Sequence, residues 1–314
     1  MATRVFIDGR EGTTGLRIFD RLSGRDGIEL MYLPEETRKD PAARKDCIHA
    51  ADVAIFCLPD AAAKESAALA EGSGTRILDT STAHRVAPGW AYGFPELGAD
   101  YRRAVVEGDR VAVPGCHASG FIALTAPLVQ AGLLPKDALL SCFSLTGYSG
   151  GGKKMIAQYE AERTDIALNA PRQYGLGQTH KHLPEMRVHS GLDAAPIFAP
   201  IVADYYAGME MTVPVFAAQL RCGADPMREV LDCLKAHYAG SPIVRVVDPE
   251  AIEGGFAPAN AFAGKDTMEL TVLGNPDRLQ LMARYDNLGK GASGAAVQCL
   301  NLMLGLNEAE GLEL

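Results

Sequence analysis

The residues best equipped for chemistry lie in Pro114-Gly115-Cys116-His117-Ala118-Ser119-Gly120, where a cysteine follows a short apolar strand and opens a helix. A thiol at a helix start feels the positive end of the helix dipole, which favours the thiolate. The N–H groups without intrahelical partners there can also stabilise an oxyanion on a carbon bonded to sulfur. Such a thiol needs a base, because an unperturbed thiol is only partly ionised at neutral pH. His180-Lys181-His182-Leu183-Pro184-Glu185 is the densest polar cluster in the chain and contains a proline-marked turn. If that segment is extended, His180 and His182 share one face and both approach the sulfur. His117 adjoins Cys116 but is expected to point away along the new helix. His84, beside Arg85, is a further candidate base; His49, His189 and His237 read as structural or exposed. Two histidines without an evident third ligand make an incomplete metal set, so no metal is expected. The other thiols (Cys47, Cys57, Cys142, Cys222, Cys233 and Cys299) are scattered, without a CxxC pair. They read as small buried hydrophobes of a protein kept in a reducing compartment.

A second constellation is the glycine run Gly9-Arg10-Glu11-Gly12-Thr13-Thr14-Gly15, between the apolar strand Val5-Phe6-Ile7 and a helix. Glycines at a strand-to-helix junction let the backbone approach a pyrophosphate, and the helix N-terminus holds its charge. The spacing is GxxGxxG, so its placement after the first strand carries the dinucleotide reading more than the motif does. Leu33-Pro34-Glu35-Glu36-Thr37-Arg38-Lys39 ends the second strand with both signs of charge. A carboxylate there suits the ribose hydroxyls of NAD and Arg38 or Lys39 the 2′-phosphate of NADP, so the residues leave both open.

Elements that must position these groups follow from periodicity. Thr13 to Leu22 carries Leu16, Phe19 and Leu22 at helical spacing. Ile28–Leu33, Val53–Cys57, Arg76–Leu78 and Val111–Val113 read as strands. Asp40-Pro41 caps a short helix, and Asp60 caps an alanine-rich one. Largely apolar short strands separated by helices indicate a parallel sheet covered on both faces. Beyond Pro114 a helix is expected over Ala118–Ala131, kinked or turned at Pro127. Strands are expected at Leu139–Leu145, Met211–Leu220, Ile243–Val247, Met268–Leu273 and Leu279–Tyr285, with Gly274-Asn275-Pro276-Asp277 turning the last two into a hairpin. Asp225-Pro226 opens another helix, and a last one spans about Ala292–Leu306. This half reads as an α+β domain. Gly150-Gly151-Gly152, flanked by Tyr148, Ser149, Lys153 and Lys154, reads as a site loop.

The 314 residues are 47% hydrophobic and 22% charged, which suits a soluble two-domain protein. The net charge of −9 comes without a basic block, so no nucleic-acid partner is expected. No apolar run is long enough for a membrane span, and the N-terminal segment enters a strand without a signal-peptide stretch. The cytoplasm is the expected compartment.

Taken in order, the blocks resemble the N-acetyl-gamma-glutamyl-phosphate reductase family in its shorter type 2 branch. They are Phe6-Ile7-Asp8-Gly9 through Gly12-Thr13-Thr14-Gly15-Leu16, Ser81-Thr82-Ala83-His84-Arg85-Val86-Ala87-Pro88-Gly89-Trp90, and Tyr92-Gly93-Phe94-Pro95-Glu96-Leu97. Gly147 through Lys154, His180-Lys181-His182 with Pro184-Glu185, and Asp286 through Gly294 continue the series over essentially the whole chain. One departure is visible: the family usually follows its cysteine with tyrosine, proline and threonine, where this chain has His117, Ala118 and Ser119.

The resemblance implies a Rossmann-type parallel-sheet NADP domain over residues 1–115, completed by a C-terminal helix at 290–314. Residues 116–289 would form an α+β substrate and dimerisation domain of the semialdehyde-dehydrogenase kind. It implies NADPH-dependent reduction of N-acetylglutamyl 5-phosphate, in arginine biosynthesis, through a thioester on Cys116. His182 is the expected base, with His180 in support. Gly9, Gly12, Thr13, Thr14 and Gly15 would cradle the pyrophosphate; Arg38 and Ser81 are further cofactor contacts. Ser149, Gly150 and Asn287 would lie near the nicotinamide. Arg85, Ser119 and Glu185 are expected to touch substrate. A homodimer or homotetramer is implied. The alternatives are an aspartate-semialdehyde dehydrogenase, a carrier-linked lysine-pathway reductase, and a non-catalytic NADP-sensing protein. The last would have lost its nucleophile or its histidine cluster, and this chain retains both.

Overall fold

The structure is a computed structural model that describes residues 2–162 and 165–314. The chain divides into two compact units, Met1–Pro114 with Ala292–Leu312, and Gly115–Gly291 with Glu313–Leu314.

In the first unit the apolar runs become β1 (Thr3–Asp8), β2 (Ile28–Met31), β3 (Val53–Phe56), β4 (Arg76–Asp79), β5 (Ala91–Tyr92) and β6 (Arg110–Ala112). They form one sheet in the order β2-β1-β3-β4-β6-β5, every pair parallel. Helices α1 (Thr13–Leu22), α2 (Pro41–Ala50), α3 (Asp60–Leu69) and α4 (Ala99–Glu107) connect the strands. Side chains alternate across β1: Val5 and Ile7 pack with Ile18 and Leu22 of α1, while Phe6 packs with Ile48 and Ala67 on the opposite face. Burial on both faces is why β3 can be apolar throughout. Strand order reverses at β1, so its carboxyl end opens on the crevice where open α/β sheets bind ligands.

Two local expectations are corrected. Leu16 is 46% exposed, because the stripe facing the sheet runs through Gly15, Ile18 and Leu22. Asp60 lies inside the first turn of α3 and makes no cap; its carboxylate instead accepts the Thr82 amide at 3.0 Å and hydroxyl at 2.5 Å. Asp40 does cap α2, accepting from the Ala42 amide with Pro41 at the first helical position.

The second unit contains α5 (Cys116–Gln130), β7 (Ser141–Gly147), α6 (Gly152–Glu160), β8 (Arg172–Gln173), α7 (Leu183–Ser190) and β9 (Ile197–Ala203). It continues with β10 (Met209–Phe216), α8 (Pro226–His237), β11 (Val244–Val246), β12 (Met268–Asn275) and β13 (Arg278–Tyr285). These strands build a mixed sheet in the order β11-β12-β13-β10-β7-β9-β8. Helix α5 lies against β10 and β13, with α7 and α8 beside it. Met209, Met211, Val213 and Val215 of β10 face this covered side and are buried, whereas Phe216 is exposed. The hairpin closes at Pro276-Asp277, where Asn275 Oδ1 accepts both the Asp277 and Arg278 amides.

Helix α5 begins two residues earlier than the sequence suggests and runs on past Pro127. Strand β9, with Pro200 within it, is an element the sequence reading does not include. The glycine run is not an open loop: Tyr148–Gly151 forms a 3₁₀ turn that leads into α6. The last helix, α9 (Gly294–Met303), follows a π turn at Gly289–Ser293. It belongs to the first unit, where Ala296, Val297, Leu300 and Met303 join the core around β1 and β3.

Candidate functional site: a nucleotide cleft and a cysteine at a helix mouth

The glycine loop is shaped by close approach. Gly9 has φ +87°, and a Cβ there would collide with the Cys57 carbonyl oxygen. Gly12 provides no side-chain cap to α1, so that helix N-terminus is not closed by its own loop. The buried Thr13 Oγ1 has no hydrogen-bond partner. The loop borders a cleft of about 360 Å³ lined by Gly9, Arg10, Tyr32, Arg38, Lys39 and Arg44, among others. The Arg10 guanidinium lies over the Tyr32 ring at 4.3 Å and the Phe19 ring at 4.8 Å. Arg38 pairs with Glu35 at 3.2 Å, while its Nε is buried without a partner. An orphaned hydroxyl beside an uncapped helix start, and an orphaned guanidinium nitrogen, are what a dinucleotide carrying an extra phosphate would satisfy. Gly9, Gly12, Thr13, Thr14 and Gly15 are therefore gathered at one helix mouth, and Arg38 lines the adjoining cleft. Arg10 was not anticipated; a cation inside the glycine loop, with Tyr32 just past the second strand, was the available signal.

Ser81 and Arg85 lie elsewhere in the first unit and are tied into their own loop. The Asp79 carboxylate accepts the Ser81 amide at 2.9 Å and hydroxyl at 2.7 Å. It also sits 2.6 Å from His84 Nδ1, and the imidazole stacks on Trp90 at 4.0 Å between centroids. Arg85 donates to the Val113 and Thr80 carbonyls at 2.8 and 3.1 Å. His84 is thus tied into this loop between Asp79 and Trp90.

In the second unit Cys116 is the first residue of α5 and is partly exposed, whereas His117 through Val129 are buried. The residue before it, Gly115, is held from two sides. Its amide donates to Glu185 Oε2 at 3.0 Å, and its carbonyl accepts the Ser119 hydroxyl at 3.0 Å. Glu185 is only 1% exposed and Ser119 equally so, and both hold the cysteine loop through Gly115. The Ser119 bond is the local back-bond that a hydroxyl four residues along a helix readily makes.

The histidines meet by a different route from strand alternation. Leu183 N–H donates to the His180 carbonyl at 3.0 Å, closing a turn that leaves His182 at the cap of α7. The His182 amide reaches His180 Nδ1 at 3.2 Å, and the two rings stand edge to face with centroids 4.7 Å apart. His117 does not point away. The first turn of α5 packs on β7, and the imidazole sits 2.7 Å from Ser144 Oγ and 2.7 Å from Tyr174 Oη. Its centroid is 5.7 Å from His180 and 5.6 Å from His182. Burial, with a smaller contribution from His180, pushes His117 down to about 3, so it is a neutral member of the trio. Burial first and the negative charge of Cys116 second raise the Tyr174 phenol. Tyr174 was missed because nothing in its sequence surroundings marks it.

Ser149, Gly150 and Asn287 do come together. Asn287 Nδ2 donates to Ser149 Oγ at 3.0 Å, Asn287 Oδ1 accepts the Gly208 amide at 2.9 Å, and a Cβ on Gly150 would stand 3.3 Å from the Asn287 amide nitrogen. None of the seven cysteines is in a disulfide. Burial pushes the Cys57 and Cys142 thiols up to about 12 and also raises Cys47, Cys222 and Cys233.

A sheet-switch cleft suited to a nucleotide, and a cysteine at a helix mouth whose neighbour His117 meets two further histidines, suit a dehydrogenase that works through a thiol. The chain belongs to the semialdehyde dehydrogenase family: residues 4–104 match its NAD binding domain and residues 116–287 its dimerisation domain. Among curated relatives, N-acetyl-gamma-glutamyl-phosphate reductases of Brucella ovis and Brucella canis are each 49% identical over 312 residues, spanning 97% of this chain and all of theirs. The resemblance read from the sequence blocks is borne out. Among solved structures, aspartate semialdehyde dehydrogenase II of Vibrio cholerae superimposes with a TM-score of 0.71 at 16% identity, covering 97% of this chain and 99% of that one. The aspartate semialdehyde dehydrogenase of Francisella tularensis gives 0.73 at 14%, covering 96% and 100%. That of Candida albicans, solved with NADP, gives 0.65 at 14%, covering 97% and 99%. At such identities the structures share the fold.

Proposed function

We propose that the chain reduces N-acetyl-L-glutamyl 5-phosphate to N-acetyl-L-glutamate 5-semialdehyde and inorganic phosphate with NADPH, as a cytoplasmic step of arginine biosynthesis. The seat of Cys116 carries this reading: a partly exposed thiol opens α5, and the next residue stands within 5.7 Å of both His180 and His182. The extended identity to N-acetyl-gamma-glutamyl-phosphate reductases supplies the substrate.

In this reading His182 takes the thiol proton, with His180 supporting its orientation. The Cys116 sulfur attacks the acyl carbon, and the bond from that carbon to the phosphate oxygen breaks, leaving a thioester and inorganic phosphate. Acylation matters because a free carboxylate repels hydride, whereas a thioester carbonyl accepts it. When bound, NADPH supplies that hydride. The first amides of α5 stabilise the oxyanion, the carbon–sulfur bond then breaks to release the aldehyde, and His182 returns the proton to sulfur.

The first unit is the dinucleotide domain, with Gly9, Gly12, Thr13, Thr14 and Gly15 at the pyrophosphate and Arg10 and Arg38 favouring a 2′-phosphate. The second unit carries the chemistry, with Ser149, Gly150 and Asn287 toward the nicotinamide. No helix among the described residues is long and apolar enough to cross a membrane. The sheet face opposite α5 exposes Phe143, Ile197 and Phe216, which a second copy would cover in a homodimer or homotetramer.

Aspartyl phosphate is the competing substrate. In a steady-state assay following NADPH consumption, N-acetylglutamyl phosphate should turn over and aspartyl phosphate should not. Cys116→Ser should lose on the order of 10⁴-fold or more in kcat while still binding NADPH. Preference for aspartyl phosphate, or an active serine variant, would overturn the reading.

A further inference from the structure

Tyr285 closes β13, is fully buried, and is paired to Met209 on one side and Met268 on the other. Its hydroxyl donates to the Cys116 carbonyl at 2.6 Å and accepts the Gly120 amide at 3.1 Å. Those are the carbonyl and amide that an α-helix beginning at Cys116 pairs with each other. The phenol is therefore wedged at the first turn of the nucleophile's own helix. Residue 120 must be glycine to admit it, since a Cβ there would stand 2.7 Å from the Tyr285 oxygen and 2.8 Å from the ring. The segment after Tyr285 presses on the same residue. Asp286 accepts the Leu288 and Gly264 amides at 2.7 and 2.6 Å, fixing a bend that brings Gly291 so near that a Cβ on it would stand 3.0 Å from Cys116 Cβ.

We propose that Tyr285 is a positioning residue for Cys116: its hydroxyl fixes the tilt of the Cys116–His117 peptide and polarises the His117 N–H beside the sulfur. The carbonyl that Tyr285 binds and the His117 amide belong to one peptide plane. Orienting one orients the other. The His117 amide is among the helix-start donors without an intrahelical partner, so it is available to a thiolate or to an oxyanion on the attached carbon. A hydrogen bond donated to a peptide carbonyl strengthens the bond that the same peptide's N–H can donate. Because Tyr285 sits between two ladder partners in the sheet interior, it transmits the rigidity of β13 to a helix terminus, which would otherwise fray. Burial, and next to it the negative charge of Cys116, raise the phenol well above its ordinary range, so it stays protonated and remains a donor throughout the working range.

The inference rests on Cys116 being the nucleophile, and the test separates the two. Tyr285→Phe keeps the ring and removes only the hydroxyl. Misplacing a catalytic group slightly costs about 10- to 100-fold, so kcat should fall by that factor while the NADPH dissociation constant is unchanged. The pH profile of Cys116 alkylation by iodoacetamide should move to higher pH, which a purely structural loss would not produce. Incorporating 4-aminophenylalanine at position 285 restores a donor of similar size and should recover part of the rate; it also serves if Tyr285→Phe folds poorly. A Tyr285→Phe enzyme with unaltered kcat and alkylation profile, beside an inactive Cys116→Ser enzyme, overturns this inference alone. An active Cys116→Ser enzyme overturns the nucleophile assignment beneath it.

Discussion

The molecule uses one local plan twice, strand, glycine, helix mouth, and finishes it in opposite ways. After β1 the helix start is left open: Gly12 gives α1 no side-chain cap and Thr13 Oγ1 has no partner. At α5, whose Gly115 likewise supplies no side-chain cap, side chains hold the backbone around the helix start while its first amides stay available. Glu185 takes the Gly115 amide, Ser119 takes the Gly115 carbonyl, and Tyr285 bridges Cys116 and Gly120. The difference follows from what each mouth must hold. A bound dinucleotide brings its own charge and oxygens, so donors left unsatisfied become binding energy. A covalent nucleophile must already point correctly before substrate arrives, so its backbone is fixed in advance.

The contrast is broken most severely at the base. His182→Asn should lower kcat by about 10²- to 10⁴-fold and flatten the acid limb of its pH profile. NADPH affinity, measured by fluorescence titration, should not change. If His180→Asn alone reproduces that loss, the roles of the pair are reversed.

A second effect belongs to stability at the tightly bound mouth. His117 is buried and held down at about 3, whereas unfolding returns it to an ordinary histidine near 6.5. Between those values the unfolded chain binds the extra proton, so stability is lost as pH falls from about 6.5 toward 3. The loss amounts to a few kcal/mol over that window. His117→Gln should make acid unfolding, followed by circular dichroism, less steep there. A slope identical to wild type would show that His117 is not the group being titrated.

The smallest change should appear at the open mouth. Thr13→Val deletes the unpartnered hydroxyl, and losing one hydrogen bond of about 1 kcal/mol weakens NADPH binding roughly fivefold. Cys116 alkylation without cofactor should be unaffected. Unchanged or tighter NADPH binding would mean that Thr13 does not face the phosphates.

The open mouth was the more legible of the two. Its glycines and threonines fall in one short segment, and apolar runs disclosed the parallel sheet that places them, because local period and local turn chemistry fix both. Cys116 and the His180/His182 pair were also visible as residue types. What held them was not. Tyr285 lies 169 residues from Cys116 and Glu185 lies 70 from Gly115, so their contacts depend on sheet register and helix docking, which short-range pattern does not encode. The same blindness reversed the direction of His117, whose partner Ser144 stands on a strand 27 residues away. Ser119 was visible as a hydroxyl near the nucleophile, but its back-bond to the Gly115 carbonyl was not.

Intact-mass spectrometry of the enzyme quenched with N-acetylglutamyl phosphate, before any NADPH is supplied, measures the central claim. A single N-acetylglutamyl adduct, mapped by peptide sequencing to Cys116 and absent from Cys116→Ser, is the predicted result. An unmodified mass from enzyme that then reduces the acyl phosphate on addition of NADPH would contradict covalent transfer through that sulfur.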